Sequence, residues 1–265
     1  MWGPIVRAIA AFTDGEDDAR RHFELAAMRI QHALLDVVVP NVSHFELGVS
    51  AEPARLVGGD YIDIYRCTDN VLAFGLGDAS GKSLAAALNS LALRSLVRGL
   101  LKALGPADLA RIVTHANDVL VEDTDGGSFI TFLLGTLELE TGRLRVVNAG
   151  HEPPLILRAG ASVVGTMDHH DIVLGITKTT DYQVEECALE PGDVAVFYTD
   201  GLTEATNEQG EMYTIEGLKR ELLRSRDLPA DQLANAMFEA VKVYAISPMR
   251  DDSTIFVAKR DEISR

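Results

Sequence analysis

Apolar positions near the start of the chain recur every three or four residues, which is the period of a helix. Phe23, Ala27, Ile30 and Leu34 share one face of a helix predicted over residues 19–35, and Pro40 lies beyond its end. Two interpretations of this apolar face remain open. The helix packs on its own domain, or it links the domain to a second copy of the chain and forms a homodimer.

Short apolar runs bounded by turn residues follow, and they are typical of strands. The first group covers residues 45–50, 61–67 and 71–77, with a hairpin turn predicted at Thr68-Asp69-Asn70. A second group covers residues 129–139, 143–148, 155–158, 182–189, 193–198 and 253–259, with a hairpin turn at Thr141-Gly142. Residues 165–180 show no period and are predicted to form a loop.

The helical period returns in two pairs of segments. One pair begins at Ser83, breaks at Gly105-Pro106 and resumes over residues 107–121, and the other covers residues 214–225 and 230–245. Hairpin-linked strands interrupted by helix pairs favour an α+β fold with antiparallel sheets over a doubly wound parallel sheet.

Composition and charge narrow the class of protein. With 265 residues, of which 47% are hydrophobic and 24% charged, the chain can bury the core of a globular protein. The formal net charge of −16 argues against binding to nucleic acid or to an anionic membrane, because both carry negative phosphates. We expect no apolar run to approach the roughly 20 residues of a membrane span. Cys67 and Cys187 form no zinc pattern, and we expect buried thiols in a reducing cytoplasm.

Four acidic segments share one design, in which an aspartate lies at the end of an apolar strand beside glycine or a polar turn residue. Each one alone is typical of a turn. Together they can gather carboxylates at one rim of a sheet, and such a cluster needs a divalent cation to offset its repulsion. An oxygen-only site selects Mg²⁺ or Mn²⁺ over zinc or copper. The four residues are Asp60, Asp78, Asp200 and Asp251.

The histidines offer no competing metal site. His169 and His170 are adjacent in the predicted loop and are expected at the surface. His151 lies between a glycine and two prolines, where we expect it to hold a turn through hydrogen bonds. A role for His151 as a catalytic acid is the alternative.

Five ordered motifs between residues 24 and 259 give the acidic segments a family context. They resemble the SpoIIE-like branch of the PPM (type-2C) metal-dependent serine/threonine phosphatases. The matching stretches are residues 54–61 (ARLVGGDY), 77–82 (GDASGK), 148–154 (NAGHEPP), 198–205 (YTDGLTEA) and 251–254 (DDST).

The resemblance implies a fold, a domain division and a set of site residues. The fold is a central sandwich of two antiparallel sheets flanked by helix pairs, in an α-β-β-α order. Residues 37–265 form the phosphatase domain, and residues 1–36 form an N-terminal segment and linker helix. By the same resemblance, Asp78 bridges two Mn²⁺ or Mg²⁺ ions, the carbonyl of Ala79 binds one, and Asp200 and Asp251 hold the other. Asp60 binds a metal directly or through water, and Asp251 is preferred over its neighbour Asp252.

The resemblance also implies an activity and a partner. A water bridging the two ions hydrolyses a phosphoserine or phosphothreonine ester, and the substrate is a phosphorylated STAS-domain anti-sigma-factor antagonist in the bacterial cytoplasm. Two alternatives stay open from the residues alone. One is a catalytically silent phosphatase-fold scaffold, and the other is a metal-dependent hydrolase of small phosphate esters.

Overall fold

The structure is a computed structural model that describes residues 25–27, 29–31, 34–54, 58–81, 83–123, 128–178, 180–246 and 249–262. Residues 25–27, 29–31 and 34–35 are helical, in agreement with the predicted N-terminal helix, whose expected start at residue 19 lies outside the described residues. Ala27 and Leu34 are fully buried in the core of this same chain, whereas Leu25 is exposed. The apolar face of this helix therefore packs on its own domain.

Within the described residues, ten strands form two five-stranded sheets in which all neighbouring strands are antiparallel. The first sheet has the order β1-β10-β9-β6-β7, and the second has the order β2-β3-β4-β5-β8. The strands are β1 (Phe45–Glu52), β2 (Asp60–Arg66), β3 (Val71–Ala79), β4 (Ile130–Glu138), β5 (Arg143–Ala149), β6 (Leu155–Leu157), β7 (Gly165–Thr166), β8 (Glu185–Ala188), β9 (Val194–Tyr198) and β10 (Ser253–Arg260).

Two pairs of long helices cover the outer faces of the sheets. We label the helices α1 (Leu84–Leu104), α2 (Leu109–Asp123), α3 (Asp200–Thr203), α4 (Thr214–Ser225) and α5 (Ala230–Tyr244). The pair α1 and α2 packs on the second sheet, and the pair α4 and α5 packs on the first. The Ser83 side chain caps α1 by accepting the backbone N–H of Ala86.

The described residues form three apolar layers. Successive side chains of β10 point to opposite faces of the sheet, so this strand contributes to two of the layers. Ile255 and Val257 face α4 and α5, whereas Phe256 and Ala258 face the space between the sheets. The ring centroids of Phe256 and Phe74 are 5.2 Å apart across that space. The predicted α-β-β-α sandwich is therefore confirmed.

Short pairings account for most differences from the sequence prediction. The stretch 165–180, predicted as a loop, contains β7 and two isolated bridges, from Leu174 to Ile130 and from Asp171 to Ala149. The strand predicted at 182–189 is shorter, and the four-residue α3 was not predicted. Pairings of one or two residues are too short to produce a hydrophobic period.

Helix α1 corrects the expectation that no segment approaches the length of a membrane span. Within the described ranges, α1 is long and apolar enough by length and composition alone to cross a membrane. Core helices of soluble proteins pass the same test, and α1 buries Leu93, Val97 and Leu101 against the second sheet and α2.

Candidate metal centre

The four candidate aspartates lie at one end of the sandwich because its strands are antiparallel. Asp78 is near the end of β3 and Asp200 follows β9, whereas Asp60 begins β2 and Asp251 precedes β10. The expectation that each aspartate ends its strand is therefore wrong for Asp60 and Asp251. Starts and ends of antiparallel neighbours alternate along one rim, so all four aspartates lie at the same end of the sandwich.

The second sheet contributes Asp60, Asp78 and the carbonyl of Ala79. Asp60 and Asp78 are directly paired residues of β2 and β3. Gly59 makes the close packing possible, since a Cβ there would lie 2.7 Å from Asp78 Oδ1 and would also clash with the Ala79 carbonyl oxygen. The backbone N–H of Ala79 donates to the Gly59 carbonyl at 3.3 Å. The glycine thus brings the chain before β2 against both predicted ligands on β3.

The first sheet contributes Asp200 and Asp251. Asp200 follows β9 and begins α3. A Cβ on the next residue, Gly201, would clash with the Asp252 carbonyl oxygen and would lie 2.7 Å from Ser253 Oγ. The segments that carry Asp200 and Asp251 are therefore packed backbone to backbone.

Asp60 connects the two sheets. Its Oδ2 atom accepts hydrogen bonds from Thr199 Oγ1 at 2.7 Å and from Thr254 Oγ1 at 2.9 Å. The backbone N–H of Thr254 donates in turn to Thr199 Oγ1 at 3.0 Å. Asp60 is only 1% exposed. One carboxylate of the second sheet is thus held by the ends of two strands of the first.

Burial and crowding of like charges act on these carboxyl groups. Burial raises the pKa of Asp60 well above its usual range near 3.8, and the negative charges of Asp78 and Asp252 raise it further. The hydrogen bonds from Thr199 and Thr254 act in the opposite direction. A bound cation would offset both the burial cost and the repulsion, so the electrostatics of this rim suit a divalent metal.

Asp251 and Asp252 differ in environment although they are adjacent. Asp252 is buried, its Oδ1 accepts the Ala54 N–H at 2.8 Å, and it also bonds to the backbone of Gly59 and Asp60. Burial raises the pKa of Asp252 despite these hydrogen bonds. Asp251 is half-buried, and its Oδ1 accepts the N–H of Asp252. Because Asp252 is engaged in fastening the chain before β2 to β10, Asp251 stays the predicted ligand.

The predicted donor set has the chemistry of a site for hard cations. It consists of carboxylates and one carbonyl, which are the oxygen ligands that Mg²⁺ and Mn²⁺ prefer. In the described part of the chain, no three His, Cys, Asp or Glu side chains converge as in an assembled metal site. Mg²⁺ keeps several waters when protein carboxylates bind it, and therefore needs few direct protein ligands. Asp60, Asp78, Ala79, Asp200 and Asp251 remain the predicted ligands.

Glu152 is a further carboxyl group near this rim. Burial raises its pKa, and the charges of Asp200 and Glu204 raise it more. The NAGHEPP motif contains Glu152, but its sequence gave no reason to separate this residue from its neighbours.

His151 has two separate environments for its backbone and its ring. Asn148 holds the turn, since its Oδ1 accepts the N–H of His151 at 2.7 Å and its Nδ2 donates to the His151 carbonyl at 3.0 Å. The ring Nδ1 lies 3.0 Å from Oγ1 of Thr131, which is the paired residue of Asp78. Burial lowers the pKa of His151 to about 4. The ring is therefore neutral at pH 7, which disfavours its use as a proton donor.

Several residues that support the rim were missed by sequence reasoning. The N–H of Gly58 donates to Gln31 Oε1 at 2.6 Å, and Ser90 Oγ donates to the Gly59 carbonyl at 2.6 Å. Both contacts are buried and join helices to the chain just before Asp60. Their sequence separations of 27 and 31 residues leave no local signal. For Thr199 and Thr254, the available signal was a threonine beside a predicted ligand segment.

Solved structures define the class of this fold. The SiaA-PP2C domain of Pseudomonas aeruginosa aligns with a TM-score of 0.75 and 20% identity, covering 95% of this chain and 100% of that one. The RsbU and RsbW domains of a Mycobacterium tuberculosis protein align with a TM-score of 0.73 and 22% identity, covering 86% and 63%. The serine threonine protein phosphatase PstP, solved with two manganese ions, aligns with a TM-score of 0.59 and 16% identity, covering 82% and 99%. The fold is that of the PP2C-type phosphatases.

The family follows from the sequence comparison. The model described as Stage II sporulation protein E (SpoIIE) matches residues 68–261, and the chain belongs to this family of serine/threonine phosphatases. Phosphoserine phosphatase RsbU of Bacillus subtilis is 24% identical over 249 residues, which cover 92% of this chain and 72% of that protein. Protein IcfG of a Synechocystis strain is 27% identical over 210 residues, and the chain spans only 33% of its length.

Proposed function

We propose that this chain is a metal-dependent phosphoserine/phosphothreonine protein phosphatase. The observation that carries the proposal is the arrangement of Asp60, Asp78, Asp200 and Asp251 at one rim, on strand ends that the Asp60 hydrogen bonds join. Two Mn²⁺ or Mg²⁺ ions, when bound, would neutralise the charge of the ester and lower the pKa of water so that it can attack near neutral pH.

The protein's own residues position the ligands for this chemistry. Thr199 and Thr254 orient the Asp60 carboxylate, and Gly59 lets the chain approach Asp78 and Ala79. Asp252 fastens that same chain to β10. Such preorganisation reduces the rearrangement needed when the substrate binds.

The proposed substrate is a phosphorylated STAS-domain protein in bacterial partner switching, in the cytoplasm. The relative RsbU is named a phosphoserine phosphatase, and another neighbour carries RsbU and RsbW domains in one protein. The net charge of −16 disfavours direct DNA binding, so an effect on transcription would pass through a protein partner.

The N-terminal helix is proposed to regulate the site. Gln31 of this helix bonds to Gly58, two residues before Asp60, so a shift of the helix would change the position of a predicted metal ligand. Pairing of this helix with a second copy of the chain would be one way to bias the shift.

Phosphate release from candidate substrates tests the proposal. The protein is incubated with phosphorylated STAS-domain proteins from its own cell and with a small phosphate ester, in Mn²⁺, Mg²⁺ or excess EDTA. We expect metal-dependent release from one STAS protein and none in EDTA. Release from the small ester alone would favour the small-ester hydrolase, and no release from any substrate would favour the catalytically silent scaffold.

A further inference from the structure

A groove of about 230 Å³ begins at the acidic rim and extends away from it. Gly201 and Asp251 line its inner end, next to the predicted ligands, and Met212 and Ile246 lie among its remaining walls. For comparison, an apolar cavity of about 150 Å³ can hold a benzene molecule. The groove is therefore large enough to accept an aliphatic side chain.

Backbone contacts fix the outer walls of this groove. Thr206 forms an isolated bridge with Met212, and its backbone carbonyl accepts the N–H of Ile246 at 2.9 Å. Met212 and Ile246 therefore lie on either side of Thr206. The hydroxyl of Tyr244 donates to the Glu211 carbonyl at 3.1 Å, which ties the end of α5 to the same segment. The groove is thus built by two hydrogen-bonded segments and does not require a partner to form.

Apolar side chains are nevertheless exposed along it. Met212 is 55% exposed and Ile246 is 40% exposed, whereas their neighbours Ala205 and Met249 pack against the core. A pair of exposed apolar side chains beside a site is a common feature of a binding groove.

We propose that this groove binds an apolar side chain of the substrate protein next to its phosphoserine. The inference rests on the proposed function, because a phosphoserine held at the acidic rim must place its flanking residues nearby. Each residue of an extended chain spans only about 3.3–3.6 Å. Gly201 and Asp251 belong to both the rim and the groove. The substrate residues that flank the phosphoserine therefore lie within reach of the groove. Glu204 and Asp251 line the groove together with Arg250, so its charges are mixed and its exposed apolar walls set the preference.

Peptide hydrolysis by matched variants tests the inference. The substrates are phosphoserine peptides that carry leucine, serine or glutamate at each flanking position on either side, with para-nitrophenyl phosphate as the small ester. We expect the wild-type protein to prefer leucine at one position by about tenfold or more in kcat/KM, as one apolar contact allows. Met212→Ser and Ile246→Ser should lose this preference and lower the ratio of peptide to small-ester kcat/KM.

Val243→Ser is the control, since Val243 is 86% exposed near the end of α5 but does not line the groove. It should keep the wild-type ratio and preference, and melting temperatures should show that all variants fold. The inference is overturned if wild type shows no flanking preference, or if the groove variants and the control behave alike. If wild type releases phosphate from no peptide, no small ester and no phosphorylated STAS-domain protein, the proposed function itself fails.

Discussion

The aspartates of β2 and β3 have different roles, as Asp63 and Asp78 show. Asp78 is half-buried at the predicted centre of the site. Asp63 lies three residues after Asp60 but is buried in an ion-pair cluster, with Arg98 Nε at 2.6 Å and Arg94 at 3.3 Å. It joins β2 to α1. The two carboxylates lie on neighbouring strands, and Asp63 is engaged by two arginines whereas Asp78 is a predicted metal ligand.

The variants Asp78→Asn and Asp63→Asn should separate catalysis from stability. Asp78→Asn should lower turnover by more than about 100-fold with little change in the melting temperature of the metal-free protein, because a predicted metal ligand is lost. Asp63→Asn should cost about 1–3 kcal/mol of unfolding free energy, since a charged hydrogen-bond partner is lost from two arginines, and should change turnover only a few-fold. Equal losses of turnover in both variants would show that the centre is misplaced.

His151 should give the metal-free protein a specific pH dependence. Its pKa of about 4 lies below the ordinary 6.5, so between these values the unfolded chain binds a proton that the folded chain excludes. Stability therefore falls as pH falls through this window. In urea unfolding with EDTA, wild type should lose about 2 kcal/mol more than His151→Gln between pH 7 and pH 5.

The raised carboxyl pKa values of Asp60 and Asp252 act with the opposite sign, but both proteins contain them and the difference cancels. Parallel stability curves for the two proteins would contradict the buried, neutral state of His151.

At this scale, sequence reasoning predicted the four aspartates as ligands through repeated strand-end motifs, and the structure places them at the same end of the sandwich. It did not identify Thr199, Thr254 or Gln31 as supports. Their roles depend on contacts between segments that are distant in sequence, and a threonine or glutamine carries no periodic signal.

Elements such as β10 were predicted well because successive side chains enter two apolar layers, so the strand is a short continuous apolar run in the sequence. The long helices were also predicted to within a few residues, since their periods extend over several turns. The elements that were missed, α3 and β7, are four and two residues long. Tertiary contacts rather than local pattern fix elements of that length.

The N-terminal helix offers a test at the element scale through Gln31. Gln31→Ala leaves the buried Gly58 N–H without its acceptor, so the chain before Asp60 should loosen. We expect metal affinity to fall by about tenfold or more, as for other residues that orient a ligand indirectly. The measurement is a Mn²⁺ titration of small-ester turnover, supported by calorimetry. Arg29→Ala, an exposed change in the same helix, is the control, and equal affinities in the two variants would contradict the regulatory proposal.

The whole molecule should be more stable with metal than without it. A ligand that binds only the folded state adds about 2.7 kcal/mol per site at a hundred times its Kd. For a chain of this size, that corresponds to roughly 5–10 °C in melting temperature. Thermal scans across a Mn²⁺ titration should show this rise for wild type and a much smaller rise for Asp78→Asn. A flat wild-type curve would exclude a metal centre in the folded protein.

The hydrogen bonds from Thr199 and Thr254 to Asp60 make the site a property of the closed sandwich rather than of either sheet. A molecule that wedges between the sheets at this rim would part the carboxylate from its two threonines while leaving the substrate's path open. Such an inhibitor would lower kcat without competing with the phosphoprotein, and raising the substrate concentration would not overcome it.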